Sequence, residues 1–87
     1  LNTTRQFSID FSAPSGFSFN SDTTKLIVQA SNGQVSKQRM HPVADGAEIR
    51  ATFFLKPKEK QTVDMRAYIE QDGKRISEVW NYVYQPQ

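Results

Sequence analysis

Catalysis on a polar substrate needs an activated nucleophile, a metal or a pair of carboxylates, and the 87 residues contain few candidates for any of these. There is no cysteine, so thiol chemistry, thiolate metal sites and disulfides are excluded. The single histidine, His41, precedes Pro42, which suggests a loop residue and no multi-histidine metal site or triad. Paired carboxylates across a cleft would suit glycoside hydrolysis. Asp64 and Glu78 approach each other in sequence-predicted pairing but point to opposite faces, and Glu48 and Glu70 read as ordinary outward charges. A domain of this size has no deep cleft to dry such a pair. The chain is therefore expected to be non-catalytic, with no catalytic residue, cofactor or metal.

Aromatic side chains are the other chemically suggestive group. Trp80, Tyr82 and Tyr84 recur at period two and would form a flat stripe, of the kind that stacks on pyranose rings. The same spacing also puts a strand's aromatics into a core, the reading favoured for Trp80 because it shares a face with Val63, Met65 and Ile69. Phe54 and Tyr68 fall on outward faces beside Arg50 and Arg66 and are candidates for an exposed contact patch.

These residues are positioned by the last two strands. Val63 to Tyr84 reads as two extended arms around Asp72-Gly73, a strong hairpin signal because a type I′ turn needs positive φ at both central residues. A two-residue loop pairs Gln71 with Lys74, Ile69 with Ile76, Ala67 with Glu78, Met65 with Trp80 and Val63 with Tyr82, which gathers nearly all large apolar groups on one face. The other face receives Asp64, Arg66, Tyr68, Glu70, Arg75, Ser77, Val79 and Asn81, with Glu70 opposite Arg75. Glu78 dissents by falling on the apolar face. A lone buried carboxylate costs several kcal/mol, so a partner, loop hydrogen bonds or a rim position is expected for it.

Upstream, Arg5 to Phe11 alternates with Phe7, Ile9 and Phe11 on one side. Phe17 and Phe19 suit a short strand or an anchored loop. Lys25 to Ser31 is a firmer strand, and Asn32-Gly33 is a second hairpin signal leading into Gln34 to Met40, whose Lys37 and Arg39 suit an edge. His41-Pro42 ends that arm and Ala44-Asp45-Gly46 turns the chain. Ile49, Ala51, Phe53 and Leu55 then alternate with Glu48, Arg50, Thr52 and Phe54, and Pro57 stops the strand. No stretch has helical periodicity. Six or seven strands with regular turn signals predict one all-β domain over residues 1–87, an immunoglobulin-like β-sandwich of the fibronectin type. The Asn-Gly and Asp-Gly turns are expected to join neighbours within a sheet, with the Pro57 loop the candidate for crossing between sheets.

Composition agrees with a folded module: 37% hydrophobic and 11% aromatic residues are too many for a disordered segment. Eleven basic and nine acidic residues give a net charge of +2 with the signs interspersed, so no nucleic-acid partner is expected. No apolar run is long enough for membrane insertion, and Leu1 to Ile9 lacks the pattern of a signal peptide.

Three segments carry a more specific likeness: Arg5-Gln6-Phe7-Ser8-Ile9-Asp10-Phe11, Val63-Asp64-Met65-Arg66-Ala67-Tyr68, and Ile76-Ser77-Glu78-Val79-Trp80-Asn81-Tyr82-Val83-Tyr84. With Asp72-Gly73 between the last two, the chain resembles the C-terminal domain of the periplasmic glucans biosynthesis proteins, the osmoregulated periplasmic glucan G and D family. The resemblance implies an exported protein with a large glucan-binding β-sandwich followed by a small immunoglobulin-like domain. It implies a periplasmic role in making or trimming β-1,2-linked glucans, with any glycoside hydrolase or transglycosylase activity in the large domain. The partner expected for this chain is that N-terminal domain, with β-glucan a further possible ligand. Glu78, Arg66, Tyr68, Phe54 and Tyr84 are the candidates for interdomain or glycan contact. The alternative is a free-standing carbohydrate-binding module.

Overall fold

The computed structural model describes residues 4–86. Among them are seven strands: β1 (Arg5–Ser12), β2 (Thr24–Ala30), β3 (Gln34–Val43), β4 (Glu48–Lys56), β5 (Val63–Gln71), β6 (Lys74–Arg75) and β7 (Trp80–Tyr84), with a 3-10 turn at Ala44–Gly46. They form two antiparallel sheets, β1-β4-β3 and β2-β5 with β6 and β7 along the far side of β5. This is an immunoglobulin-like sandwich: β1, β4 and β3 take the places of strands B, E and D, and β2, β5 and β7 those of C, F and G.

The two central strands supply most of the core by simple alternation. Ile49, Ala51, Phe53 and Leu55 from β4 meet Val63, Met65, Ala67 and Ile69 from β5, all buried, and Ile9 and Phe11 from β1 complete the cluster. β2 adds Leu26 and Val28 from its inner side. The apolar residue between them, Ile27, is half-buried on the outer side and is the register partner of Tyr68.

Asp72-Gly73 forms the expected turn, with φ of 52° and 82°. Asn32-Gly33 does not make a hairpin. β2 and β3 lie in different sheets, so this dipeptide carries the chain across the sandwich, as the Pro57 loop also does. Among the described residues Gly33 has positive φ at 85° whereas Asn32 does not, so a type I′ turn is absent. Asn32 instead ties two loops together: its Nδ2 donates to the Thr62 carbonyl (2.8 Å) and its Oδ1 accepts the Lys58 N–H (3.0 Å). Gly33 is packed so closely there that a Cβ would lie 2.5 Å from the Lys56 carbonyl oxygen.

β3 also runs past His41-Pro42 to Val43. Proline is tolerated because β3 is an edge strand, and His41 is therefore an exposed strand residue opposite Arg50, not a loop residue. Phe17 and Phe19 lie in an anchored loop, held by hydrogen bonds from Thr24 N–H to the Asn20 carbonyl (2.8 Å) and from Gln71 Nε2 to the Ser18 carbonyl (3.0 Å).

Candidate functional site

The second arm of the last hairpin departs from a plain two-residue-loop register, and that departure decides where the candidate residues sit. Near the turn the predicted pairs form: Gln71 with Lys74, Glu70 with Arg75, and an Ile76 N–H to Ile69 carbonyl bond of 2.9 Å. The arm then bulges. Ile69 N–H is bound by Ser77 Oγ at 2.8 Å, and the Ser77 hydroxyl donates to the Glu78 carbonyl at 2.8 Å. Arg75 Nη1 also donates to the Ser77 carbonyl.

When pairing resumes, Trp80 faces Ala67, Tyr82 faces Met65 and Tyr84 faces Val63. Each aromatic is displaced by two residues along β5 from the plain register, so the inward and outward faces are preserved. The bulge also corrects two expectations. Ser77 is buried, not outward, because its hydroxyl replaces a ladder partner for Ile69. Glu78 is exposed and imposes no buried charge, because Trp80 takes the position opposite Ala67 that the plain register gives to Glu78.

The five candidate contact residues fall into separate places. Arg66 and Tyr68 come together on the outer face of the β2-β5-β7 sheet, the Arg66 guanidinium lying 5.5 Å from the Tyr68 ring centroid. Ile27 stands beside Tyr68, and Gln29, Arg66 and Asn81 form a polar row across the three strands. Gln29, Arg66, Asn81 and Asp64 line a shallow open depression of about 320 Å³. The row of polar partners was not readable in the sequence: Gln29 joins it because β2 flanks β5, and Asn81 because the bulge moves it opposite Arg66, where the plain register has Val79.

Phe54 lies on the outer face of the other sheet, and the cation over it is Lys37 Nζ at 5.6 Å. Arg50, the expected neighbour, is engaged elsewhere. Lys37 reaches this position from the bulge between Ser36 and Arg39, where its φ is 53°, a feature without a composition signal. Tyr84 belongs to a third place, where β1 and β7 meet. Phe7 is the hub: its ring stacks on Phe53 (5.4 Å) and makes edge contacts with Trp80 (6.1 Å), Tyr82 (5.9 Å) and Tyr84 (5.7 Å). Trp80 packs against the core as expected, while Tyr82 is 47% exposed and stacks on Trp80 with the rings 13° apart. Arg5 lies over Tyr84 at 5.4 Å.

The acidic groups considered for paired-carboxylate chemistry lie apart in separate surroundings. Asp10 receives two hydrogen bonds from Arg50, at 2.8 and 3.0 Å, which hold its carboxyl below the usual aspartate range. Asp64 and Glu78 are both exposed, and no group of three potential metal ligands occurs among the described residues. No helix among them is long and apolar enough to cross a membrane.

The family described as "Periplasmic glucan biosynthesis protein, MdoG" matches residues 1–84. The chain belongs to this family. Among glucans biosynthesis proteins, protein D of Stenotrophomonas maltophilia (strain K279a) is 34% identical over 64 residues, covering 71% of this chain and 12% of the relative. The probable glucans biosynthesis protein D of Shewanella oneidensis is 29% identical over 85 residues, covering 94% of this chain and 16% of the relative. The chain thus spans a small part of the length of these family members.

Proposed function

We propose that this chain is a non-catalytic, C-terminal immunoglobulin-like module of a periplasmic glucans biosynthesis protein, packing against the domain that binds glucan. The observation that carries this reading is the outer face of the β2-β5-β7 sheet, where half-buried Ile27 and Tyr68 lie beside a row of Gln29, Arg66 and Asn81. An apolar strip bordered by hydrogen-bonding side chains suits an interdomain contact, which is commonly smaller and more polar than an obligate interface. Glu78, exposed at the bulge, would on this reading add a charged contact. Glucan cleavage or transfer belongs, on this reading, to the remainder of the protein, and the module reaches the periplasm with it.

The test compares the 87-residue chain with the same module inside a full-length family protein. Tyr68→Ser, Arg66→Ala and Glu78→Gln are expected to weaken docking in the full-length protein while changing the melting of the isolated chain little. Equal losses in both settings would count against the docking role.

A second reading, carbohydrate binding by the module itself, is favoured by the stacked and partly exposed Trp80-Tyr82 pair. Titration with β-1,2-glucan, followed by Trp80 fluorescence and amide shifts, separates the two. Saturable shifts centred on Tyr82, Tyr84, Tyr68 or Phe54 would establish glycan binding, and their absence would remove it.

A further inference from the structure

The two edges of the β1-β4-β3 sheet are built differently. β3 carries features that discourage a further strand: the bulge between Ser36 and Arg39, Lys37 at positive φ, and Pro42. Gln38 of the same strand reaches across to donate to the Leu26 carbonyl (3.1 Å), occupying an acceptor of β2 as well. β1 has none of these devices. Its eight residues run in unbroken register with β4, from Arg5 opposite Leu55 to Ser12 opposite Glu48, with no proline, lysine or bulge.

Among the described residues β1 pairs with β4 alone. The Ala13 N–H donates to the Ala47 carbonyl (2.9 Å), continuing that register beyond the strand. In an antiparallel pair the backbone groups of alternate residues point to the same side. Phe7, Ile9 and Phe11 therefore direct theirs to β4, whereas Gln6, Ser8, Asp10 and Ser12 direct theirs outward. In immunoglobulin topology the place beside this strand is held by strand A, which pairs with strand B. Here that place lacks a strand among the described residues.

We infer that the open edge of β1 accepts an antiparallel strand contributed by the remainder of a full-length family polypeptide. The relatives matched are much longer than this chain, which corresponds to 12% and 16% of their lengths, so such proteins contain ample chain to supply it. The incoming strand is expected to alternate, with apolar residues continuing the layer of Phe7, Ile9 and Phe11 and polar residues beside Gln6, Ser8 and Asp10. Backbone hydrogen bonds supply the recognition, as in strand addition to sheet edges generally. This pairing is independent of what packs on the outer face of the other sheet.

Hydrogen exchange tests it. In the 87-residue chain the Ser8 and Asp10 amides should exchange readily while Ile9 and Phe11 are protected. Within a full-length family protein, Ser8 and Asp10 should gain about tenfold or more in protection, as expected for amides newly bonded in a sheet. Ser8→Pro removes only an outward N–H, so it should be tolerated by the 87-residue chain and should lower the melting temperature of the full-length protein. Ile9→Pro should damage both. Unchanged Ser8 and Asp10 exchange in the full-length protein would overturn the inference. So would equal damage by Ser8→Pro in both settings, or protection in the short chain that rises with concentration alongside a dimer, which would assign the edge to a second copy.

Discussion

Ser77 Oγ stands in for a backbone carbonyl, accepting the Ile69 N–H at 2.8 Å where the strand partner has bulged away. The hydroxyl meets a central core strand at one of its buried residues, so its removal leaves a donor that water cannot easily reach. Ser77→Ala should cost about 1–3 kcal/mol in urea unfolding, the usual penalty for an unsatisfied buried donor. Glu78→Gln, one residue along but exposed, should cost far less in the isolated chain. Equal costs for the two would argue that the serine bond contributes nothing.

Phe7 joins the two sheets through four aromatic neighbours, with Phe53 stacked on it and three β7 rings against its sides. Phe7→Ala should lower stability by about 3 kcal/mol, the low end for a buried phenylalanine because Phe7 is only half-buried. Trp80 emission should shift in the folded variant, since one of its ring contacts is lost. An unshifted spectrum with unchanged stability would show that β7 holds its place without Phe7.

Gly33→Ala introduces two penalties at once. The backbone sits at φ 85°, and the added Cβ would meet the Lys56 carbonyl oxygen at 2.5 Å. A loss of at least ~1–3 kcal/mol is expected from the left-handed conformation alone. Gly16→Ala, at φ 79° but with open space around it, should be the milder change. Urea midpoints in the reverse order would refute the role assigned to close packing at Gly33.

Asp10 titrates below its ordinary value chiefly because Arg50 hydrogen-bonds to its charged form. A carboxyl whose folded pKa is depressed adds stability above its unfolded pKa and loses it as the pH falls through the folded value. The window therefore lies at and below about pH 4. Both side chains are substantially exposed, 44% for Arg50 and 37% for Asp10, so the effect should be small and fade with added salt. Asp10→Asn should flatten the acid limb of a stability-against-pH curve at low ionic strength. An acid limb identical to that of the unaltered chain would remove the pair from the acid response.

Alternation along β4 and β5 was legible from residue types because a strand that faces one core must repeat with period two. That places Phe53, Leu55, Met65 and Ile69 inside, as observed. Neighbour relations were less legible. Asn32-Gly33 has hairpin composition, yet glycine's positive φ serves a crossing turn equally well, and the anchoring of Asn32 to Thr62 and Lys58 is a long-range fact. The bulge at Ser77 was invisible for a similar reason: serine is polar enough for a surface and small enough to replace a carbonyl. Of the candidate contacts, the neighbourhood of Arg66 and Tyr68 on one strand face followed from spacing, whereas Lys37 over Phe54 required a second bulge.

The hairpin resumes two residues out of step, and that even number constrains how the family can vary in length here. Between Arg75 and Trp80, gaining or losing two residues would leave Trp80, Tyr82 and Tyr84 directed inward. Gaining or losing one would turn all three to solvent and bring Asn81 and Val83 against Phe7. Natural length variants of this segment should therefore differ in steps of two, or carry a compensating bulge elsewhere in the same arm.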